Sequence, residues 1–403
     1  MCGPFFCQVE AVETVIWLTE VARSQKRYAH LWAHIEGANR QSSPDLLRIA
    51  MKMATGAGKT TVMAMLIAWQ TVNAVRSPTS SLFSRGFLIV APGITIKDRL
   101  RVLLPDDPDN YYRFRDIVPS DMLPEIAKAK VVITNYHAFK RRETMDVTKV
   151  GKALLQGRGD APMTTETEGQ MLQRACGDLM AIKNVVVIND EAHHCYEERP
   201  LGSVEDLSDA DSKAEAKENK EAARLWINGI KALKRKTGVR AVYDLSATPF
   251  FLSGSGYVEG TLFPWVVSDF SLMDAIECGI VKLPRVPVAD NLPIADMPIY
   301  RKLWDHIGKE MPKKGAAKSG DLDPLKLPTE LLTALDALYN HYVKVDEAWR
   351  RAGIPVPPVF IVVCNNTSTS KLIAEWISGW NRPNADGEMG NIHRGHLQLF
   401  PNY

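Results

Sequence analysis

Five short runs of apolar, largely β-branched residues recur along this chain: FLIV (87–90), VVIT (131–134), VVVI (185–188), AVYDLS (241–246) and VFIVV (359–363). RIAMKMA (48–54) reads as a sixth. Continuous runs of this kind suit strands buried on both faces, the environment of a parallel sheet covered by helices. Helical patterns lie between them. KTTVMAMLIAWQTVNAV (59–75) is one, and EAARLWINGIKALKRK (221–236) is another, with Leu225, Ile230 and Leu233 at helical spacing and a basic C-terminal end that suits the helix dipole. Strands alternating with helices predict an α/β fold with a doubly wound parallel sheet.

The length of 403 residues exceeds one ordinary core, so two or three domains are expected. Charged residues at 24% and apolar residues at 45% give a soluble globular balance, and a net charge of +2 means that any polyanion must be met by local patches. None of the six cysteines forms a CxxC pair, which argues against zinc and against a disulfide framework and fits a reducing cytoplasm. The N-terminus lacks the basic flank and apolar core of a signal peptide, and no apolar run reaches membrane-spanning length, so no membrane partner is expected.

Two stretches interrupt the pattern. Residues 201–222 hold seven acids and three bases with almost no bulky apolar residue, and read as an exposed, mobile insertion. Residues 284–330 are rich in Pro, Gly and Lys and read as an inter-domain linker. A helical stretch (329–352) and a second strand–turn–helix unit follow.

MKMATGAGKT (51–60) joins an expected strand to an expected helix. Its glycines let backbone N–H groups of Thr55, Gly56, Ala57 and Gly58 close around phosphate oxygens, and the helix that opens at Lys59, Thr60 and Thr61 adds its positive end. Lys59 is placed to reach the β- and γ-phosphates, and the Thr60 hydroxyl to sit on Mg²⁺. The strict pattern has glycine where this chain has Met53. A triphosphate with Mg²⁺ needs a carboxylate at a neighbouring strand end. NVVVINDEAHH (184–194) supplies it: Asp190 for the metal's water shell, and Glu191 to take a proton from attacking water. His193, His194 and Cys195 are adjacent residues that point in different directions, so zinc ligation fails on spacing; either histidine could be an ordinary turn residue.

ATGAGKT (54–60), VAPGITIKDRL (90–100), VVITNYHAF (131–139), DEAHH (190–194) and LSATPF (245–250), in this order, resemble the superfamily 2 helicases and translocases. APGITIKDR, DEAHHCY and SDFSLMDAIECGIVKLPRVPV (268–288) resemble most closely the ATPase (restriction) subunit of type III restriction enzymes. The resemblance implies a RecA-like first lobe over 1–283 with 201–222 as its insertion, the linker, and a partial second RecA-like lobe over 331–403. It implies ATP and Mg²⁺ as cofactors, DNA as partner and a methyltransferase subunit beside it. Gln8 then reads adenine, with Phe5 or Phe6 packing the base; from the residues alone it reads equally as part of a helix N-cap over a core face. His193, Ser246, Ala247 and Thr248 couple the nucleotide to the nucleic-acid path, and Thr95, Lys97, Thr134 and Asn135 touch a strand backbone. KRR (140–142) is either a solvated face or an extension of that path.

The arginine motif that such motors carry late in the second lobe has no counterpart, since Arg382 and Arg394 sit in no such pattern, and no nuclease motif follows. The chain therefore reads as the N-terminal portion of a larger protein or as a truncated gene product. The expected function is an ATP-dependent DNA helicase or translocase motor of a restriction-type enzyme. The competing reading is a hydrolysis-poor module that binds nucleotide and nucleic acid.

Overall fold

The structure, a computed structural model, describes residues 3–93, 96–142, 165–198, 210–283, 303–311, 323–383 and 389–400. The chain divides into two compact units, 1–283 and 284–403.

The first unit is built on a six-stranded, wholly parallel sheet in the order β3-β2-β4-β5-β1-β6. Its strands are β1 (Arg48–Met53), β2 (Gly86–Ala91), β3 (Lys130–Asn135), β4 (Val185–Asp190), β5 (Val239–Ser246) and β6 (Val266–Phe270). Five are the runs expected from sequence. β6 is not among them: it is short, half-buried and polar at its centre, and it pairs with the edge of β1. With flanking helices the sheet forms the RecA-like α/β fold expected.

Successive strand residues divide between two cores. Phe87 and Ile89 of β2 face helices α1 (Phe6–Ile16) and α3 (Lys59–Arg76), whereas Leu88 and Val90 face α4 (Glu168–Cys176) and α5 (Ala210–Thr237); α2 (Ala29–Ser42) flanks the first group. All four of those β2 side chains are fully buried, each worth roughly 1.5–3 kcal/mol of transfer free energy. This explains why the strands read as continuous apolar runs.

The expectation of an exposed, mobile insertion over 201–222 is corrected in part. From Ala210 onward the chain is helical, and α5 runs for 28 residues without a break into the amphipathic segment that sequence placed at 221–236. Ala216, Ala222 and Ala223 are buried, the small residues in this charged run being its contact points. Residues 201–209 lie outside the described residues. Gly238 (φ +80°) ends α5 in the left-handed conformation and turns the chain directly into β5.

The second unit packs α6 (Thr329–Arg351) and α7 (Thr367–Ser378) around Leu331, Leu335, Leu372 and Trp376, followed by an antiparallel hairpin of β7 (Gly379–Pro383) and β8 (Met389–Arg394). Ile307 and Met311 share this core, so part of the expected linker packs rather than spans. Residues 284–302 and 312–322 of that linker lie outside the described residues. The buried strand expected at 359–363 does not form. Phe360 and Val362 pack on the core, but Val359, Ile361 and Val363 are 78%, 77% and 90% exposed. The run is apolar on both faces in sequence, yet among the described residues no strand pairs with it to cover the second face. No described helix is long and apolar enough to cross a membrane.

Candidate nucleotide site

The carboxyl ends of β1, β5 and β4 lie side by side, with β5 between the other two, which is where ligands bind in open parallel sheets. β1 ends at Met53, which is fully buried. Where the strict phosphate-loop pattern has its first glycine, this chain still runs as strand, so no left-handed residue is needed there. Gly56 (φ +87°) and Gly58 (φ +84°) then make the two left-handed turns that reverse the chain into α3. The left-handed backbone strains any side chain at Gly58, and a Cβ there would push the Gln8 amide out of its place.

Gln8 is a buried strut. Its Nε2 donates to the Ala57 carbonyl at 2.8 Å and its Oε1 accepts from the Phe5 N–H at 3.0 Å, tying the start of α1 to the phosphate loop. Beside it lies a cavity of about 140 Å³ bounded by Phe5, Gln8, Thr61, Met65, Arg115 and Asp116. Phe6 is 83% exposed and is not part of that wall. Arg115 and Asp116 escaped sequence reasoning. They sit on a turn with no motif, and the only local mark is the left-handed backbone of Asp116 (φ 50°), which sequence does not reveal. Thr55 and Gly56 are exposed, Ala57 is buried, Lys59 and Thr60 are half-buried, and the Thr61 N–H closes the first helical turn on Gly58.

β4 delivers the acids. Asp190 is its last residue, and Glu191 adopts left-handed backbone (φ 50°, ψ 49°), an uncommon conformation for a non-glycine residue. The reversal brings Glu191 Oε1 to 2.5 Å from Lys59 Nζ. Burial pushes the Asp190 carboxyl above the usual carboxylate range, the nearby Lys59 opposing it. A bound dication would favour the charged form. His193 Nδ1 lies 2.9 Å from Ser246 Oγ and 3.6 Å from Glu191 Oε2. The same Ser246 oxygen accepts the Thr248 N–H at 3.0 Å. Ser246 is fully buried, Ala247 half-buried and Thr248 exposed. Lys59, Glu191, His193 and Ser246 thus form a continuous polar line across three strand ends.

The model of one protein family, described as type III restriction enzyme, res subunit, matches residues 3–250, more than half of the chain and every residue of that line. The chain belongs to this res-subunit family. Comparison with curated proteins returned no match. The res-subunit family is one of helicase-like P-loop ATPases of superfamily 2, and the matched span includes the 54–60 loop, Asp190, Glu191 and the Ser246 turn.

Burial, and then the neighbouring His194, lower His193 to about 4, and burial also lowers His194. Near neutrality His193 is therefore uncharged. A histidine whose folded pKa is depressed contributes stability that is complete above its unfolded value of 6.5 and is lost as pH falls through about 4. Thermal unfolding is expected to show a melting temperature that declines over this window. The decline should be shallower in His193→Asn, which keeps a polar group near Ser246 and has no proton to take up. Identical slopes in the two proteins would remove His193 from the account.

On the far edge of the sheet, Thr134 and Asn135 end β3 beside an open groove of about 770 Å³ that also touches His137, Arg142 and Gln173. Asn135 Oδ1 caps the following turn by accepting the Ala138 N–H at 3.1 Å. Lys140 and Arg142 are exposed, and Arg141 lies 3.8 Å from Glu168. Thr95 lies outside the described residues. Lys97 is on the short helix Ile96–Leu100, and its side chain lies outside them too.

Proposed function

We propose that this chain is the ATP-hydrolysing motor portion of a restriction-type DNA helicase or translocase, with the site at the ends of β1, β4 and β5. One observation carries the reading: Lys59 and Glu191 meet at 2.5 Å over a loop whose two left-handed glycines turn its backbone into a helix N-terminus. This pair keeps the lysine charge partnered until a triphosphate takes it.

The residues suit Mg·ATP. The backbone of Thr55 to Gly58 and the Lys59 ammonium would hold the β- and γ-phosphates. Thr60 and Asp190 would hold Mg²⁺, which when bound neutralises phosphate charge. Glu191, once Lys59 turns to phosphate, has a free carboxylate to accept a proton from attacking water. His193, uncharged, ties the acid loop to Ser246 and so to the turn holding Ala247 and Thr248. The cavity beside Gln8 would take the base, with Phe5 on one wall. Gln8 holds that wall in place through its bonds to Phe5 and Ala57.

DNA would lie along the β3 edge, against Thr134, Asn135 and the 140–142 basic run. Small hydroxyls, amides and cations of this kind meet phosphate oxygens and carry no base code. Fluorescence anisotropy with two unrelated duplexes should therefore give similar affinities, and log Kd should rise linearly with log salt. Affinity that stays flat from low to moderate salt, or that differs strongly between the duplexes, would contradict this. Calorimetric titration with Mg·ATP tests the nucleotide half, where no detectable binding would end the proposal.

A further inference from the structure

Behind the polar line lies a second, fully buried polar group. Arg48, the first residue of β1, is 0% exposed. Its Nε donates to Asp244 Oδ2 at 2.8 Å and its Nη2 to the Cys195 carbonyl at 2.6 Å, and its guanidinium stacks 4.5 Å over the Trp265 ring. Asp244 also accepts from Trp265 Nε1 at 2.9 Å and from Asn189 Nδ2 at 2.8 Å. Asn189 and Asp244 are direct partners across β4 and β5. The Asn189 oxygen accepts Trp226 Nε1 of α5 at 2.9 Å, and the Trp226 ring stacks on Tyr136 at 5.5 Å, the residue after Asn135.

Stability alone is a poor account of this group. A buried ion pair is often replaceable by apolar residues of similar volume at no loss, because desolvation offsets the Coulomb attraction. Arg48 Nη1 has no hydrogen-bond partner, which adds to that cost. What the group does have is position. Asn189 precedes Asp190 and lies on the opposite face of β4. Cys195 follows the two histidines, and Asp244 stands two residues before Ser246. The planar guanidinium holds a strand carboxylate and a loop carbonyl at once, so it fixes the exit of the DEAH loop against β5.

We propose that Arg48, Asp244, Asn189 and Trp226 are positioning residues that register the DEAH loop with the Ser246 turn, so that they govern turnover at the nucleotide site and not affinity for nucleotide. The proposal rests on the function given above. The phosphate loop makes none of these hydrogen bonds, whereas the acid loop and the Ser246 turn are both anchored by them. Misplacing a catalytic group by an ångström costs on the order of a hundredfold in rate.

Two variants of the full chain test this. Trp226→Phe removes one N–H and keeps a ring against Tyr136. Arg48→Met with Asp244→Leu replaces the ion pair by apolar volume. In both, hydrogen exchange should quicken in peptides covering 189–196 and 244–250 and stay unchanged in 54–76. Kd for Mg·ATP should stay within about twofold, since the loop is remote from the change. Turnover should fall roughly ten- to a hundredfold, while the double variant melts no lower than the parent. A merely structural role would raise exchange in all peptides together. That pattern, or parent-like turnover in the folded double variant, overturns the proposal. If the double variant does not fold, Trp226→Phe decides alone, parent-like exchange and turnover counting against it. If the parent itself shows no turnover, the functional reading fails, and the exchange pattern still decides the positioning role.

Discussion

Lys59→Ala is expected to weaken Mg·ATP binding on the order of a hundredfold, about 2.7 kcal/mol. The Lys59 side chain is only 12% exposed, and it opens the helix that follows the 54–60 loop. Its loss acts twice. The phosphates lose their main side-chain cation, and Glu191 loses its ion-pair partner, so that only Mg²⁺ is left to screen the acids from the triphosphate. The fold should survive, because the Lys59–Glu191 pair is partly exposed, with 31% of the acid side chain open to solvent. Titration of a fluorescent ATP analogue measures the effect, with melting temperature as control. Parent-like affinity in a folded variant would mean that the loop at 54–60 does not hold the phosphates.

Glu191→Gln should separate binding from chemistry. The amide keeps size and left-handed backbone position, and it cannot take a proton from water. Turnover should drop by ~10²–10⁴. Affinity should hold or tighten, because Lys59 is released from its 2.5 Å ion pair and needs no exchange of partners when phosphate arrives. Steady-state phosphate release and equilibrium titration on one preparation give both numbers. Unchanged turnover would take Glu191 out of the reaction, and a matching loss of affinity would make its role one of binding.

The chain divides unevenly into what its sequence discloses and what it hides. The sheet was legible because strands covered on both faces must be apolar throughout. FLIV at 87–90 is buried in alternation by two different helix layers and has no polar position to blur it. The same signal misled at 359–363, where VFIVV has the composition of a covered strand but no partner strand among the described residues, so alternate side chains are exposed. Composition reports what a run could bury, not what arrives to cover it. Residues 210–222 misled the other way. Charge hid a helix whose contacts are alanines, and alanine contributes too little hydrophobic signal to mark a face.

Within the site, the roles proposed for Lys59, Thr60, Asp190 and Glu191 come from sequence, because phosphate and Mg²⁺ chemistry calls for those residue types at strand ends; the structure brings Lys59 and Glu191 together. The left-handed backbone at Glu191 could not be read from sequence, since it follows from how β4 must reverse toward β1. Nor could Arg48 or Asp244. In sequence they look like ordinary charges at the start and middle of strands, and only the parallel register that sets β5 beside both β1 and β4 makes them partners. In sequence Gln8 reads either as an adenine contact or as part of a helix N-cap over a core face; the fold engages both ends of its amide, with Phe5 and Ala57.

One site, made of the 54–60 loop and the DEAH acids, is proposed to cleave Mg·ATP. Single-turnover conversion of γ-labelled ATP, with the chain in excess over nucleotide, measures that cleavage. Phosphate release is expected from the parent in Mg²⁺, none in EDTA, and none above background from Lys59→Ala. ATP that is bound and never cleaved, or phosphate released equally by Lys59→Ala, would contradict the proposal.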